Sequence, residues 1–474
     1  MRRPVTVTGM LVHLARGYVA RAPRATAMIA AGVVGAAALG LVASHNCCPS
    51  RHAQRPAAHA RAFSRVQVGG GTCAASGVFC VGDLSCGRGD RCVDTHGVSS
   101  LLARASNEPG TRDDALPISP SLVWNGEGWA VAWSAIDEET AEIYFARAGA
   151  NGQRIGQPVR LTRGSSLKVL PSLAASPDGY AVTWTDVGDD ITSWVLRLDR
   201  AGNPRGAATK VSQQPGIDLA SRVVWSGHDY ALAWYHASSP SELSIRFARV
   251  GTDGGRVGEE RAAAEHVIPT GLFDIRSMGD GYGLGWSAQG PRGDAGQTVF
   301  ARVGAGGESS QPFKVANAQG QNGNVSLAWA KGHFGFVWED AVPLDEDAPL
   351  SRLAFAGVAP GSIAVPRREL TPRDAYFTQT SLAWSGAQYG LTYVRIGGDG
   401  ADVFFNRLDA QGVPARNPIR FTAGALGLFP SLAWSGSEFA VAWTHLGARG
   451  IQLRLARVNS EGRRVGDDVA IAGD

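Results

Sequence analysis

The stretch Pro430–Trp443 reads PSLAWSGSEFAVAW. It holds two short apolar runs, SLAW and FAVAW, separated by Ser-Gly-Ser-Glu. The second run alternates small and large side chains, the period-two signature of a half-buried strand. A Ser-Gly turn between two such runs predicts a β-hairpin. The same pattern recurs as PSLVWNGEGWAVAW from Pro120, PSLAASPDGYAVTW from Pro171, SRVVWSGHDYALAW from Ser221, FDIRSMGDGYGLGW from Phe273, VSLAWAKGHFGFVW from Val325 and TSLAWSGAQYGLTY from Thr380. The closing aromatics are Trp133, Trp184, Trp234, Trp286, Trp338, Tyr393 and Trp443, spaced 50 to 55 residues apart. Self-similarity at that period is the mark of a repeat architecture.

Each repeat parses into four strands. Strand A is the SLAW run and strand B the run ending in the closing aromatic. Strand C ends in segments such as FARAGANG and LARVNSEG, whose Asn-Gly and Glu-Gly pairs close a hairpin. Strand D is a short apolar run such as DVAIA. Four strands repeated seven times predict an all-β protein, a seven-bladed β-propeller over 120–474. The aromatics of strand B are read as packing between blades. Each Trp buries about 150–250 Å², roughly 4–6 kcal/mol of apolar burial before entropy is subtracted.

The pattern resembles propeller repeats of the TolB/PD40 type, most plainly in Ala175–Trp184 (ASPDGYAVTW). It is also similar to the uncharacterised WSGxxYxVAW repeats of exported myxobacterial proteins. The resemblance covers three-quarters of the chain and implies a fold, with binding or scaffolding rather than a fixed chemistry. Ser176–Gly179 is not the Asp box of sialidases, which places an extra residue before its Gly.

Ahead of the repeats lie four shorter segments. Residues 1–46 hold Arg2, Arg3, Arg16, Arg21 and Arg24 before an uncharged run from Ala25 to Ala43. That run predicts export through a signal peptide or membrane anchor, with a lipid-modified Cys47 as a third reading. Residues 47–72 read as a flexible basic linker, 73–92 as a Cys-rich module and 93–119 as a second linker. Cys73, Cys80, Cys86 and Cys92 predict two disulfides in an exported chain, with three pairings open. Residues 1–66 carry nine Arg and no acid, so a net charge of +3 leaves −6 on the rest. The basic charge belongs to the leader and argues against nucleic-acid binding by the folded part. Contact with a membrane is expected only through the N-terminal segment, in the periplasm, at the outer surface or outside the cell.

Loop lengths give the propeller a polarity. From strand A to strand B the spacing is always nine residues, while from strand B to strand C it runs from 13 to 19. The variable B–C loops share a face with the D–A loops, and variable loops on a rigid scaffold are where binding is tuned. Two columns carry the polar variation. Two residues past the strand B aromatic stand Ala135, Asp186, His236, Ala288, Asp340, Arg395 and His445. Early in strand A stand Ser121, Ser172, Arg222, Asp274, Ser326, Ser381 and Ser431. Asp186, His236, Asp340, Arg395, His445, Arg222 and Asp274 are therefore the candidate ligand-binding residues, with Arg222 and Asp274 on adjacent blades and placed to pair. No cofactor is expected; Ca²⁺ is the one ion considered, at the acidic loops around Asp137–Glu139, Asp186–Asp190 and Asp345–Asp347. No GxSxG or HExxH motif is present. The expected role is a non-catalytic binding or scaffold module of the cell envelope that engages an envelope protein or glycan. The alternative is a hydrolase or lyase with its site at the propeller axis.

Overall fold

The structure is a computed structural model. It describes residues 115–473 apart from 137–139, 240–241, 290–295, 318–321, 331, 342–350, 398–399, 424 and 448–449, together with the backbone of four short strands between residues 70 and 94. The leader 1–46, Cys73 and the acidic loops at Asp137–Glu139 and Asp345–Asp347 lie outside the described residues. Cys86 and Cys92 are register partners of one two-stranded sheet.

The described chain is all strand and turn. From Leu116 onward it forms consecutive four-stranded antiparallel meanders spanning 116–160, 167–210, 217–264, 274–317, 322–369, 376–420 and 426–472. The first two share one parallel bridge, Ala141 to Leu167. This is a β-propeller. In each sheet the first strand lies innermost and the second is sandwiched between neighbouring sheets. The second strand of the first sheet, Gly128–Ile136, is accordingly buried at every position.

Local chemistry explains the hairpin between the first two strands. In Ser435–Glu438 the Ser435 amide donates to the Glu438 carbonyl, and the Ser435 hydroxyl accepts from the amides of Ser437 and Glu438. Gly436 supplies the left-handed φ of 99° that the turn requires. Asn125 does the same work with its side-chain oxygen in the first repeat.

The strand-two aromatics are core. Trp234, Trp338 and Trp443 are fully buried, and ring follows ring from sheet to sheet, as in Phe405 against Phe439 at 5.4 Å. Three sheets make room for the next one's ring with glycine where the others have alanine. A Cβ on Gly335 would lie 2.4 Å from the Tyr389 ring. Gly335→Ala is therefore expected to lower stability by about 1–3 kcal/mol in a denaturant melt, through overpacking alone.

The strand-three arginines tie neighbours together at the rim. Arg147 donates to the Arg200 carbonyl of the next sheet's hairpin at 3.3 Å, and Arg407 to the Ser460 carbonyl at 3.2 Å. Arg457, in the last sheet, reaches the Ala150 carbonyl of the first at 3.5 Å. Among the described residues closure uses no exchanged strand: Val469–Ala472 pairs with the third strand of its own sheet.

Candidate functional site

The innermost strands of the described sheets enclose an axial channel of about 1300 Å³. Three tiers of side chains line it. The middle tier is the Ser-rich column of strand A, and the structure gives that column a structural role. Ser431 Oγ accepts from Leu122 N at 3.0 Å, Ser121 from Leu173 N at 3.0 Å and Ser172 from Val223 N at 3.1 Å. Ser326 accepts from Leu382 N at 2.9 Å and Ser381 from Leu432 N at 3.1 Å. Each hydroxyl satisfies an inner-strand amide of the next sheet, which has no further strand to pair with. The result is a girdle of hydrogen bonds that runs through the junction of the last and first sheets.

The girdle is broken once. Arg222 has no acceptor to offer the fourth sheet, because a guanidinium only donates. The amide it leaves, Ile275 N, bonds instead to Asp274 Oδ1 at 2.9 Å, while Asp274 Oδ2 accepts from Leu327 N at 2.8 Å. One carboxylate thus fills two places in the ring. Arg222 and Asp274 do not form an ion pair. Asp274 pairs within its own strand with Arg276, at 3.2 Å, and Arg276 Nε donates to the Leu327 carbonyl at 3.0 Å. Half-buried Arg222 lines the channel and has no hydrogen-bond or ion-pair partner among the described residues. Burial pushes its guanidinium below its ordinary value and the nearby Asp274 carboxylate opposes that.

The tier toward the D–A loops is irregular. Ser119, Leu170, Ala220, Gln379 and Phe429 take left-handed φ between 50° and 55°, two residues before the girdle position. Each marks a bulge where the first strand slips register against the second. The fourth and fifth sheets place Leu272 and Asn324 there instead, and a polar cluster gathers at this departure. Glu339 Oε1 accepts from Asn324 Nδ2 at 2.9 Å, Thr378 Oγ1 at 2.9 Å and Gln379 N at 2.8 Å. A Cβ on Gly323 would lie 2.2 Å from Glu339 Oε2, so glycine lets the carboxyl seat against the backbone. Burial holds the Glu339 carboxyl above the usual carboxylate range, against the pull of those hydrogen bonds. Its charge helps raise the phenol of Tyr376, which also lines the channel, though burial does most of that.

The third tier, at the A–B turns, is aromatic. Trp124, Trp225, Trp329, Trp384 and Trp434 are half-buried and line that end of the channel. Apart from Trp194, on the third strand of the second sheet, the tryptophans therefore divide into a core set on the second strands and a channel-lining set on the first.

The other candidate residues do not converge. Buried His236 bonds through Nδ1 to Asp218 Oδ1 at 2.7 Å, in its own sheet. Asp218 also accepts from Trp234 Nε1 at 3.0 Å, and burial raises its carboxyl above the usual range. Asp340 is held by Arg352 at 2.7 Å and Arg367 at 2.6 Å, both from its own sheet. Arg395 faces Asp374 at 3.5 Å. Half-buried His445 is pushed down by burial and by Arg454. Asp186 is half-buried, opposite Lys168 and Thr192 in the ladder. Among the described residues no three of His, Cys, Asp and Glu gather as a metal site.

Two channel residues escape a reading built on the most varied columns. Glu339 stands one position from the column containing Asp340, among Ser134, Thr185, Tyr235, Ser287, Val394 and Thr444. Arg276 stands among Val123, Ala174, Val224, Ala328, Ala383 and Ala433. Each is the one charged residue of an otherwise neutral column, and that exception was the available signal.

No family profile matches the chain, and no curated protein sequence does. Among solved structures it is similar to an acylaminoacyl peptidase of Pyrococcus horikoshii, at 10% identity and TM-score 0.47 over 76% of this chain and 52% of that one. It is similar to the β-propeller domain of the Trilobed protease from Pyrococcus furiosus, at 9% identity and TM-score 0.46, over 75% of this chain and 96% of that one. An α-L-arabinanase of Penicillium chrysogenum matches at 12% identity and TM-score 0.42, over 62% of this chain and 93% of that one. The chain spans about half the length of the peptidase. Likenesses this remote speak to the fold alone, which is the β-propeller. The solved structures it is similar to are mostly hydrolytic enzymes, against the expectation of a non-catalytic envelope scaffold, which is dropped. The axial alternative is the one to carry forward, on the channel's own residues.

Proposed function

We propose that the chain is an exported seven-bladed propeller that cleaves a glycan in its axial channel, as a hydrolase or lyase, with Glu339 as the proton donor. The observation that carries this reading is Glu339 itself. It is a carboxyl in the channel wall, seated by three donors and held above the usual carboxylate range by burial. A carboxyl that burial makes hold its proton more tightly than usual is suited to protonating a leaving-group oxygen. Asp274, one tier deeper, is the other carboxylate that lines the channel. The half-buried indoles at the far end offer apolar faces to sugar rings. Export is supported by the leader and by the confinement of all six Cys to residues 47–92.

The test is a screen of the full-length secreted chain for reducing-end release and for unsaturated products from a panel of polysaccharides. Wild-type protein is expected to cleave at least one, and Glu339→Gln to lower kcat by about 10²–10⁴-fold. A flat screen, or a Glu339→Gln variant as active as wild type, would overturn the reading.

A further inference from the structure

Arg222 is hard to explain as structure, and Arg276 beside it is the one charged residue of its column. At the position of Arg222 a serine would complete the girdle, as it does in five other sheets. At the position of Arg276 the other sheets carry Val or Ala. Both arginines come from neighbouring sheets and line the same channel. Between them stands one close anion, Asp274, and it is committed to Arg276 and two backbone amides. Arg222 is left without a partner among the described residues, and an unpaired charge removed from bulk water is unfavourable.

The rest of the girdle has the same bias. Ser121, Ser172, Ser326, Ser381 and Ser431 each use an oxygen lone pair to accept an amide. A hydroxyl that accepts still has its proton to donate. The middle tier therefore offers five hydroxyl protons and one uncompensated positive charge. From this geometry we propose that the middle tier is a binding site for a carboxylate group. A single-charge, planar, two-oxygen anion matches the one free guanidinium fork. It also matches the net charge of the site, where a phosphate dianion would leave an excess. Resting on the reading above, this makes the substrate an acidic glycan whose uronic-acid carboxylate is held one tier below Glu339.

The experiment separates this from cleavage by reading binding. Calorimetric titration of the full-length chain uses glucuronate, glucose and inorganic phosphate as probes. Glucuronate is expected to bind, with glucose and phosphate at least ten-fold weaker. Arg222→Ser and Arg276→Met are each expected to weaken glucuronate at least ten-fold. Arg222→Ser should keep or raise the melting temperature, because a hydroxyl there can take the Ile275 amide, so a loss of binding in it is no folding defect. Equal affinity for glucuronate and glucose, equal affinity for phosphate, or unchanged glucuronate binding in both arginine variants would each overturn the proposal. If glucuronate binds as expected and the polysaccharide screen is flat, the anion site stands and the cleavage reading fails.

Discussion

Asp274→Ala is expected to remove about 3–5 kcal/mol of stability, among the largest effects of any single change in the ring. The residue is buried and accepts from two amides, Ile275 N at 2.9 Å and Leu327 N at 2.8 Å. Each orphaned buried donor forfeits about 1–3 kcal/mol. Arg276 would also lose its partner at 3.2 Å, a smaller effect because that guanidinium is well exposed. Asp274→Asn keeps one acceptor for two amides, so about half the loss is expected. The informative variant is the pair Arg222→Ser with Asp274→Ser. The first hydroxyl would serve Ile275 N and the second Leu327 N, which regularises the girdle. Denaturant melts of the two single variants and the double should then show strong non-additivity, with the double close to wild type. Simple addition of the two effects would refute the girdle as the cause.

The second large effect belongs to Glu339. Glu339→Ala would strand Thr378 Oγ1, Asn324 Nδ2 and Gln379 N, all bonded to one oxygen. A loss of about 3–5 kcal/mol is expected. Glu339→Gln keeps that oxygen and removes only the titration, which isolates a pH effect. The carboxyl is raised in the fold by burial. Between the unfolded value near 4.5 and the higher folded value, the native state binds more protons than the unfolded chain. Stability from this group is therefore complete below about pH 4.5 and falls as pH rises through the folded value. Melting temperatures of wild type and Glu339→Gln, compared from pH 4 to pH 9, should diverge as pH rises, with wild type losing ground. Parallel curves would mean that Glu339 titrates at its ordinary value and is a poor proton donor.

The fold was legible because its determinants are local and repeated. The Ser-Gly turns, the alternating second strands and the strand-three Asn-Gly and Glu-Gly pairs each act within a few residues, and seven copies make them unmistakable. The channel was less legible because its chemistry lies in the exceptions. Ser431 looks like a channel-facing hydroxyl until the amide of Leu122, 309 residues away in sequence, is seen to bond to it at 3.0 Å. Variation drew attention to the column of Asp186, His236 and Asp340, yet His236 and Asp340 are satisfied inside their own sheets by Asp218, Arg352 and Arg367. Arg222 and Asp274 were visible as deviations, but their separation was not. It depends on Arg276, two residues along the strand, outcompeting Arg222 for the carboxylate.

Closure by side chains has a mechanical consequence. The covalent break in the ring lies between the seventh and first sheets. That joint carries Ser431 to Leu122 N, Thr444 Oγ1 to the Pro117 carbonyl at 2.8 Å, Arg154 to the Ile471 carbonyl at 3.1 Å and Arg457 to the Ala150 carbonyl. The joint without its girdle bond is the one between the third and fourth sheets, in the middle of an unbroken chain. The ring's cut and the gap in its girdle are thus on different sides. The ends are latched by side chains, and the missing girdle bond falls beside Arg222, the place where an arriving anion would be met.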